Sequence, residues 1–419
     1  MGMRTDADVV VVGAGLAGLA AAATARRAGS RVIVVEAHTP GGRARTIVRE
    51  GFTFNLGAHA LVRRGAGMAV LAELGVVPTG APPPLHHYRA LRGGHLCALP
   101  TGPSSLLRTG ALGARSKAQL VRLLGRLPRL RARELQRTSV AGWLAAQHLR
   151  PDAESVVRAL IRLSTYTADV DEFSADAALS QLQTTSAGGV LYLHDGWSAL
   201  VDHLAHGLDV RTGVEVTGVD RRSGDLEVRT AAGALVAGRV VVANGGPSAV
   251  RRLLPVDPGW GALGPPVTAA CLDLGVTRVP DPGYVLSLDQ PVYATVQAPP
   301  AHQAPAGGAV VAAIRYGTRG ASIDRAELEA LVATAGVGAV DVATRRFLAS
   351  MTVTGVMPTA STGGLAGRPG IEDTGVPGVT IAGDWVGPVG LLADAALASG
   401  HAAGSRAGRE GPGSARVVA

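Results

Sequence analysis

The chain has 419 residues, of which 47% are hydrophobic and 17% charged, and its net charge is +8. This composition excludes a disordered protein, because such a chain could not bury enough apolar surface to offset the entropy lost on ordering. Two cysteines, Cys97 and Cys271, are too few for a disulfide scaffold or an all-cysteine zinc site. We therefore expect a cytoplasmic protein without a bound metal ion.

The positive charge is concentrated in one segment. Between residues 101 and 137 there are nine basic side chains and one acidic one, so this window carries the whole net charge of +8. A single basic segment predicts a local patch and not a nucleic-acid-binding face. Leucine alternates with arginine over 105–137, which leaves two interpretations: peripheral contact with an anionic membrane surface, or a solvated outer helix.

The first predicted elements form a β–α–β unit. Residues 8–12 are a short β-branched run typical of a buried strand, 16–28 an alanine-rich helix, and 31–36 a second strand. The longest apolar run, 9–25, is shorter than the roughly 20 residues that a membrane span needs. A right-handed crossover makes the two strands parallel.

Helices and then strands follow along the chain. Residues 114–164 predict helices, including one over 140–149. A last helix is predicted over 391–407. The later strands are predicted at 210–219, 226–229, 236–243, 267–275, 284–288, 292–297, 309–316 and 379–382. This interleaving implies two domains, each built from non-contiguous pieces.

The turn between the first strand and helix carries the motif GxGxxG at 13–18. The first glycine allows a tight turn, the second lets the backbone approach a pyrophosphate, and the third lets the helix pack on the strand. Glu36 ends the second strand, where an acid binds the ribose of NAD or of the AMP half of FAD. The contacts predicted in the turn are Gly13, Ala14, Gly15, Ala17 and Gly18.

A second motif, GGRxxT at 41–46, follows Glu36. It resembles the FAD-binding signature of the amine oxidase and phytoene desaturase superfamily. Gly42 permits close backbone approach, and Arg43 brings a fixed positive charge toward the pyrophosphate. Arg45 fits a solvated loop residue.

The resemblance continues in order along nearly the whole chain, at 54–59, 192–200, 212–216, 240–247 and 382–400. It implies a segment along the flavin, a backbone contact to adenine, an acid near the ribityl or phosphate groups, and a helix N-terminus facing the flavin. The remaining contacts it implies are Gly57, Ala58, Val216, Gly383, Asp384 and Ala393.

The resemblance implies an α/β fold with two discontinuous domains. A Rossmann-like FAD-binding domain is expected from 1–75, 190–255 and 360–410, and an α+β substrate domain from 76–189 and 256–359. Residues 411–419 are expected to be a flexible tail. The resemblance implies that a C-terminal cysteine tethers the flavin in the monoamine oxidase branch. No cysteine follows Cys271 in this chain, so FAD is expected to bind noncovalently.

The expected function is dehydrogenation of a lipophilic, isoprenoid-like substrate by hydride transfer to FAD. The closing motif at 383–388 is closer to the phytoene desaturase branch. The resemblance implies a lysine near the flavin in amine oxidases, whereas the single lysine of this chain, Lys117, is far in sequence from the flavin segments. An FAD-dependent amine oxidase and a flavin-binding protein without turnover are the alternatives. His59 and Trp385 are the candidates for the substrate pocket, and no side chain is singled out as catalytic. The pattern carries no signal for oligomeric state.

Overall fold

The computed structural model describes residues 5–57, 59–100, 102–222, 224–261, 263–317 and 324–409. The predicted tail, 411–419, and the predicted cofactor contact Ala58 lie outside these residues.

The strands alternate with helices in the first and last parts of the chain. In chain order the strands are β1 (Ala7–Val12), β2 (Val32–Glu36), β3 (Thr46–Arg49), β4 (Phe52–Asn55), β5 (Leu61–Val62), β6 (Gly80–Ala81), β7 (Arg89–Arg92), β8 (His95–Ala98), β9 (Val190–Leu193), β10 (Asp209–Thr212), β11 (Val216–Arg222), β12 (Asp225–Thr230), β13 (Gly233–Val242), β14 (Val267–Val276), β15 (Val285–Ser287), β16 (Val292–Ala298), β17 (Ala309–Tyr316), β18 (Val342–Thr354) and β19 (Val379–Ile381).

The helices are concentrated between β8 and β9. In chain order they are α1 (Leu16–Arg27), α2 (Ala66–Glu73), α3 (Pro103–Arg108), α4 (Ala114–Arg126), α5 (Val140–Ala146), α6 (Pro151–Thr165), α7 (Ala175–Gly188), α8 (Trp197–Ala205), α9 (Pro247–Arg251), α10 (Arg325–Thr334) and α11 (Leu392–Arg409).

The first sheet has the strand order β10-β2-β1-β13-β12-β11, and β19 also pairs with β13. The strands β10, β2, β1, β13 and β19 run parallel. The valines of β1 are fully or almost fully buried, as expected for a parallel strand covered on both faces. The predicted α/β architecture with its N-terminal β–α–β unit is confirmed.

The second sheet has the order β18-β14-β17-β16-β15-β7-β8 and is antiparallel apart from the β15–β7 pair. Its strands all fall within 76–189 and 256–359, whereas those of the first sheet fall within 1–75, 190–255 and 360–410. The hydrophobic cluster around the second sheet takes in residues of α3 to α7 and α10. Smaller pairings join β3 to β4 and β9 to both β5 and β6.

Helix α11 packs closely on α1 because small residues recur every fourth position. A Cβ atom on Gly400 would lie 2.2 Å from the carbonyl oxygen of Ala17, and one on Gly404 would lie 2.3 Å from that of Ala21. The two backbones therefore touch where side chains would normally separate them. This contact holds the N-terminus of α11 beside the turn that precedes α1.

Among the strands, one prediction is wrong and one long strand lies where none is predicted. Residues 210–219 form two strands, because Gly213 adopts a left-handed conformation with φ of 71° and ends β10. As a result β10 pairs with β2, while β11 pairs with β12. Strand β18 was not predicted, since its burial does not alternate regularly and it contains adjacent arginines at 345 and 346. The helix predicted over 140–149 ends earlier, at Ala146.

The basic segment forms an outer layer over the helical region. The leucines of α4 and the turn after it, such as Leu120 and Leu127, are buried in the core, whereas the arginines point outward. Leu107 and Val121 are large apolar side chains of this segment that stay exposed. None of the helices in the described ranges is long and apolar enough to cross a membrane.

Candidate functional site

A cavity of about 410 Å³ lies between the two sheets, at the carboxyl ends of β1 and β2. This edge is where open parallel sheets bind ligands. Of the residues predicted to contact a cofactor or substrate, those that line the cavity are Gly13, Gly15, Ala17, Glu36, Gly42, Arg43, Gly57, His59, Gly383, Asp384 and Ala393. Residues from five separate parts of the chain therefore meet at one site.

Glycine occupies positions 13, 15 and 18 of the first turn for three different structural reasons. Gly13 has a φ of 101°, and a Cβ atom there would lie 2.6 Å from the carbonyl oxygen of Ala243. A Cβ atom on Gly18 would lie 1.9 Å from the carbonyl oxygen of Gly13, so Gly18 serves the packing of α1 and does not line the cavity. A Cβ atom on Gly15 would meet no protein atom within 4 Å. Gly15 thus leaves open space in the cavity at the N-terminus of α1, which no side chain caps.

The carboxylate of Glu36 is held by two backbone donors. The N–H of Ala14 donates to one oxygen at 2.8 Å, and the N–H of His38 donates to the other at 2.9 Å. Ala14 therefore orients Glu36 and does not itself line the cavity. The backbone of Glu36 in turn accepts a hydrogen bond from the N–H of Val214 at 3.0 Å. Val216, the predicted adenine contact, begins β11 and lies outside the cavity lining.

Arg43 forms an ion pair with Asp384. Its Nη1 lies 2.7 Å from Oδ2 of Asp384 and also donates to the carbonyl oxygen of Val353 at 2.7 Å. Asp384 is buried and accepts a second hydrogen bond from the N–H of Gly355 at 3.2 Å. Burial lowers the pKa of Arg43, but the charge and hydrogen bond of Asp384 outweigh this effect and raise it overall. The charge predicted for a pyrophosphate is therefore largely compensated by Asp384.

Arg45, which fits a solvated loop residue in the sequence, is a second arginine of the cavity lining beside Arg43. It lines the cavity, and its Nε donates to the carbonyl oxygen of Gly42 at 3.1 Å. Within the described ranges it forms no ion pair, in contrast to Arg43. The GGRxxT pattern contains Arg45, but spacing alone does not distinguish a paired arginine from an unpaired one.

Trp385, predicted for the substrate pocket, is not among the lining residues of this cavity. Its side chain is fully buried, and its Nε1 donates to the carbonyl oxygen of Gly245 at 2.8 Å. Its ring packs edge-on against Trp260, with centroids 5.0 Å apart. Trp385 therefore supports the loop that carries Gly383 and Asp384.

His59 joins the cavity to a buried polar group in the second sheet. Its ligand atoms and those of Cys271 and Asp273 all lie within 4.8 Å of one another. Asp273 is already paired with Arg346, whose Nη1 lies 2.7 Å from Oδ2. A metal ion would have to displace this guanidinium. The group is therefore better described as an Asp273–Arg346 ion pair with the Cys271 thiol and the His59 imidazole beside it.

The six tyrosines of the chain, five buried and Tyr166 half-buried, form two connected groups, called here the tyrosine wall, which adjoins His59 through Tyr166. In one group of three, the hydroxyl of Tyr166 lies 3.1 Å from that of Tyr293, whose ring stacks on Tyr316. In the other group, Tyr192 contacts Tyr88 through their hydroxyls, and the ring of Tyr88 lies 4.8 Å from that of Tyr284. The side chains of β16 connect the two groups, because the hydroxyl of Thr295 hydrogen bonds to that of Tyr192 at 2.8 Å, two residues from Tyr293. Tyr166 reaches the cavity lining itself.

Two buried charged side chains, Arg368 and Asp394, fix the loop before α11 and the first turn of that helix. Arg368 donates to the carbonyl oxygens of Asp384 and Gly390 at 3.0 and 2.9 Å, and burial lowers its pKa to about 10. Asp394 accepts a hydrogen bond from the N–H of Gly67 at 2.8 Å, at the start of α2. Burial raises the pKa of Asp394 to about 6. These contacts fix the helix N-terminus that reaches the cavity with Ala393.

Comparison with known proteins relates this chain to flavin-containing oxidoreductases. A family model described as flavin containing amine oxidoreductase matches residues 16–279, which is more than half of the chain. A stretch of 74 residues is 47% identical to hydroxyneurosporene desaturase of Rhodobacter capsulatus, covering 17% of this chain and 15% of that protein. Another stretch of 61 residues is 48% identical to all-trans-retinol 13,14-reductase of Homo sapiens, covering 14% of this chain and 10% of the reductase. The matches thus span small parts of these curated relatives.

A solved structure supports the same architecture over almost the whole chain. A double mutant of putrescine oxidase superposes with a TM-score of 0.72 and covers 96% of this chain and 99% of its own. The sequence identity is 17%, so this likeness concerns the fold.

The cavity residues fit FAD. The open space at Gly15 and the uncapped N-terminus of α1 suit a pyrophosphate, since free backbone N–H groups and the helix dipole attract anions. Arg45 adds an unpaired positive charge among the described residues, and the Glu36 carboxylate, held by the N–H groups of Ala14 and His38, suits its predicted role as an acceptor for a ribose. Neither Cys97 nor Cys271 is among the described lining residues, in agreement with noncovalent binding.

Proposed function

Because the chain belongs to the flavin-containing amine oxidoreductase family and uses FAD as cofactor, we propose that it is an oxidoreductase that dehydrogenates a lipophilic, isoprenoid-like substrate. In this reaction FAD supplies the acceptor for a hydride from a substrate C–H bond. The short but closely similar matches to a desaturase and a reductase of isoprenoid compounds support this substrate class.

The charge balance of the cavity is the observation that favours this proposal. Glu36 and Asp384 are the carboxylates of the described lining, and both already accept hydrogen bonds, from backbone N–H groups and from Arg43. The nearby Asp273 is paired with Arg346. Glu36 and Asp384 lie in the segments expected to hold FAD, so on the His59 side of the cavity Asp273 is the carboxylate close to His59, and it is already paired; burying the charge of an ammonium substrate there is costly.

The tyrosine wall suits an apolar substrate. The hydroxyl groups of Tyr166 and Tyr293 hydrogen bond to each other, so their polar atoms need no partner from the substrate. The ring of Tyr166, the tyrosine among the described lining residues, then offers apolar contact area to a polyene or alkyl chain. Lys117 lies outside this region and donates to the carbonyl oxygen of Leu107 at 2.8 Å on the exposed outer layer. It is thus unavailable as an active-site lysine.

Anaerobic flavin reduction tests the proposal. The FAD-loaded protein is mixed without oxygen with squalene, farnesol, neurosporene or all-trans-retinol, and in parallel with putrescine and a secondary amine. We expect an isoprenoid to bleach the visible absorbance of the flavin, and mass spectrometry to show a product that has lost two hydrogen atoms. Protein first reduced with dithionite is mixed with the same isoprenoids to test the opposite direction.

Each other outcome overturns a defined part of the proposal. Bleaching by an amine alone establishes an amine oxidase. Reoxidation of the reduced flavin by an isoprenoid, without bleaching of the oxidised flavin, establishes a reductase. A stable flavin spectrum that no compound changes indicates a flavin-binding protein without turnover.

Contact with an anionic membrane surface through 105–137 is a second part of the proposal. The leucines of α4 face the core, so the contact would be made by outward arginines together with Leu107 and Val121. Each basic group near such a surface contributes about 1 kcal/mol. Co-sedimentation with anionic vesicles, but not with neutral ones, is expected. Equal binding to both kinds of vesicle, or none, refutes this contact, and Arg122→Gln with Arg126→Gln should weaken it.

A further inference from the structure

A buried group of ionisable side chains adjoins the cavity, and the proposed function gives none of them a part in the reaction. His59 lies on the loop between β4 and β5, Cys271 and Asp273 lie on β14, and Arg346 lies on β18. Tyr166, directly after α6, completes the group. His59 and Tyr166 line the cavity, whereas the other three lie behind His59.

The second sheet determines how this group is arranged. Cys271 and Asp273 are two residues apart on β14, so their side chains point to the same face. Arg346 is the residue paired with Asp273 on β18. The thiol of Cys271 donates to Oδ1 of Asp273 at 3.1 Å, and Arg346 donates to Oδ2 at 2.7 Å. Both carboxylate oxygens are thereby occupied, and the carboxylate is held in one orientation.

The imidazole of His59 lies between this carboxylate and the cavity. It is 3% exposed, and its Nδ1 lies 3.5 Å from the hydroxyl of Tyr166. One nitrogen of its ring lies within 4.8 Å of a carboxylate oxygen of Asp273 and of the sulfur of Cys271. The imidazole therefore lines the cavity in front and has a fixed carboxylate within 4.8 Å behind it, close enough for the negative charge to stabilise an imidazolium.

We propose that His59 is a catalytic residue that accepts the substrate proton in the dehydrogenation, an inference that rests on the proposed function. Forming a carbon–carbon double bond removes hydrogen from two adjacent carbon atoms. One hydrogen leaves with its electron pair as the hydride that FAD accepts. The other leaves as a proton that binds an imidazole nitrogen of His59, and the electron pair of that C–H bond becomes the new double bond. Asp273 acts as a positioning residue.

The surroundings of His59 favour this role at neutral pH. Burial lowers the pKa of His59; the charge of Asp273 raises it and that of Arg346 lowers it. The net lowering keeps the imidazole neutral and able to accept a proton. The imidazolium formed then faces the carboxylate of Asp273. Cys271 and Tyr166, the other titratable groups of the cluster, stay protonated because burial raises the pKa of both.

The protonation of His59 is measured without any substrate. The FAD-loaded protein is labelled at its histidine rings, and the His59 resonance is assigned by its loss in His59→Gln and followed by NMR against pH. We expect a midpoint below the ordinary value of 6.5, and a lower one in Asp273→Asn, which removes the charge that raises the pKa. A midpoint above 7 overturns the proposal, because the ring would then be mostly protonated at neutral pH.

Flavin reduction then tests the role in catalysis. The probe is the isoprenoid of the panel that bleaches wild-type flavin fastest. His59→Gln should slow bleaching about 100- to 10,000-fold while FAD content stays unchanged. The acid limb of the pH–rate profile should move to lower pH in Asp273→Asn. His95→Gln, on the exposed end of β8, is the matched control and should keep the wild-type rate.

The outcomes separate the two proposals. A wild-type protein that no isoprenoid reduces refutes the proposed function. A protein that an isoprenoid reduces, and whose His59→Gln variant keeps the wild-type rate, refutes the role of His59 alone. Should His59→Gln lose FAD, His59→Asn and the pH shift of Asp273→Asn decide the question.

Discussion

Alanine at two glycines of the first turn should separate binding from folding. Gly15→Ala places a methyl group in open space within the cavity, and its backbone at φ −76° and ψ 178° suits alanine. Gly18→Ala places the same methyl group 1.9 Å from the carbonyl oxygen of Gly13. The two substitutions are chemically identical and lie three residues apart, so each serves as the control for the other.

The expected magnitudes follow from these contacts. An ordinary contact needs at least 3.4 Å, so Gly18→Ala lacks about 1.5 Å and must displace α1 from β1. Such overpacking costs about 1–3 kcal/mol or more. In Gly15→Ala, a weaker N-cap and a less flexible unfolded chain have small opposite effects, so stability should change by less than about 1 kcal/mol. Its methyl group, however, blocks the close approach of the pyrophosphate, and FAD affinity should fall at least about tenfold, or 1.4 kcal/mol.

Two measurements on each variant check this prediction. Urea unfolding of the FAD-free protein gives stability, and calorimetric titration with FAD gives affinity. We expect Gly15→Ala to lose affinity at near wild-type stability and Gly18→Ala to lose stability. Wild-type FAD affinity in Gly15→Ala, or wild-type stability in Gly18→Ala, would refute the reasoning.

The other predictions concern buried charges. Arg43→Met leaves buried Asp384 with one backbone donor, the N–H of Gly355. Because Arg43 is partly exposed, the free energy of unfolding in urea should fall by about 1–3 kcal/mol. Adding Asp384→Asn removes the unpaired charge and should restore most of this stability. Burial raises the pKa of Asp394 from 3.8 to about 6, so between these pH values the folded protein keeps a proton that the unfolded chain releases. Stability should therefore fall as pH rises from about 4 to 6, by at most about 3 kcal/mol. Asp394→Asn, which keeps an acceptor for Gly67, should abolish this fall in scanning calorimetry; an unchanged pH dependence would contradict the assignment.

The local parts of the fold and site could be predicted from sequence. The β–α–β unit has a strong apolar pattern, and its glycine turn and Glu36 lie within one short segment, so chain connectivity alone brings them together. The order of the later motifs placed Gly57, Asp384 and Ala393 at the same cavity through the family resemblance. Where the pattern was weak, as in β18, the prediction failed.

The tertiary structure decided which of these side chains face the cavity and which are neutralised. Arg43 and Asp384 are 341 residues apart, and their ion pair depends on how the closing loop packs over the first turn. The position of His59 within 4.8 Å of Asp273 likewise depends on the second sheet meeting the β4–β5 loop. Local propensity carries no information about such distant contacts. They are set by how whole elements pack together, and the neighbouring residues in the chain do not determine that packing.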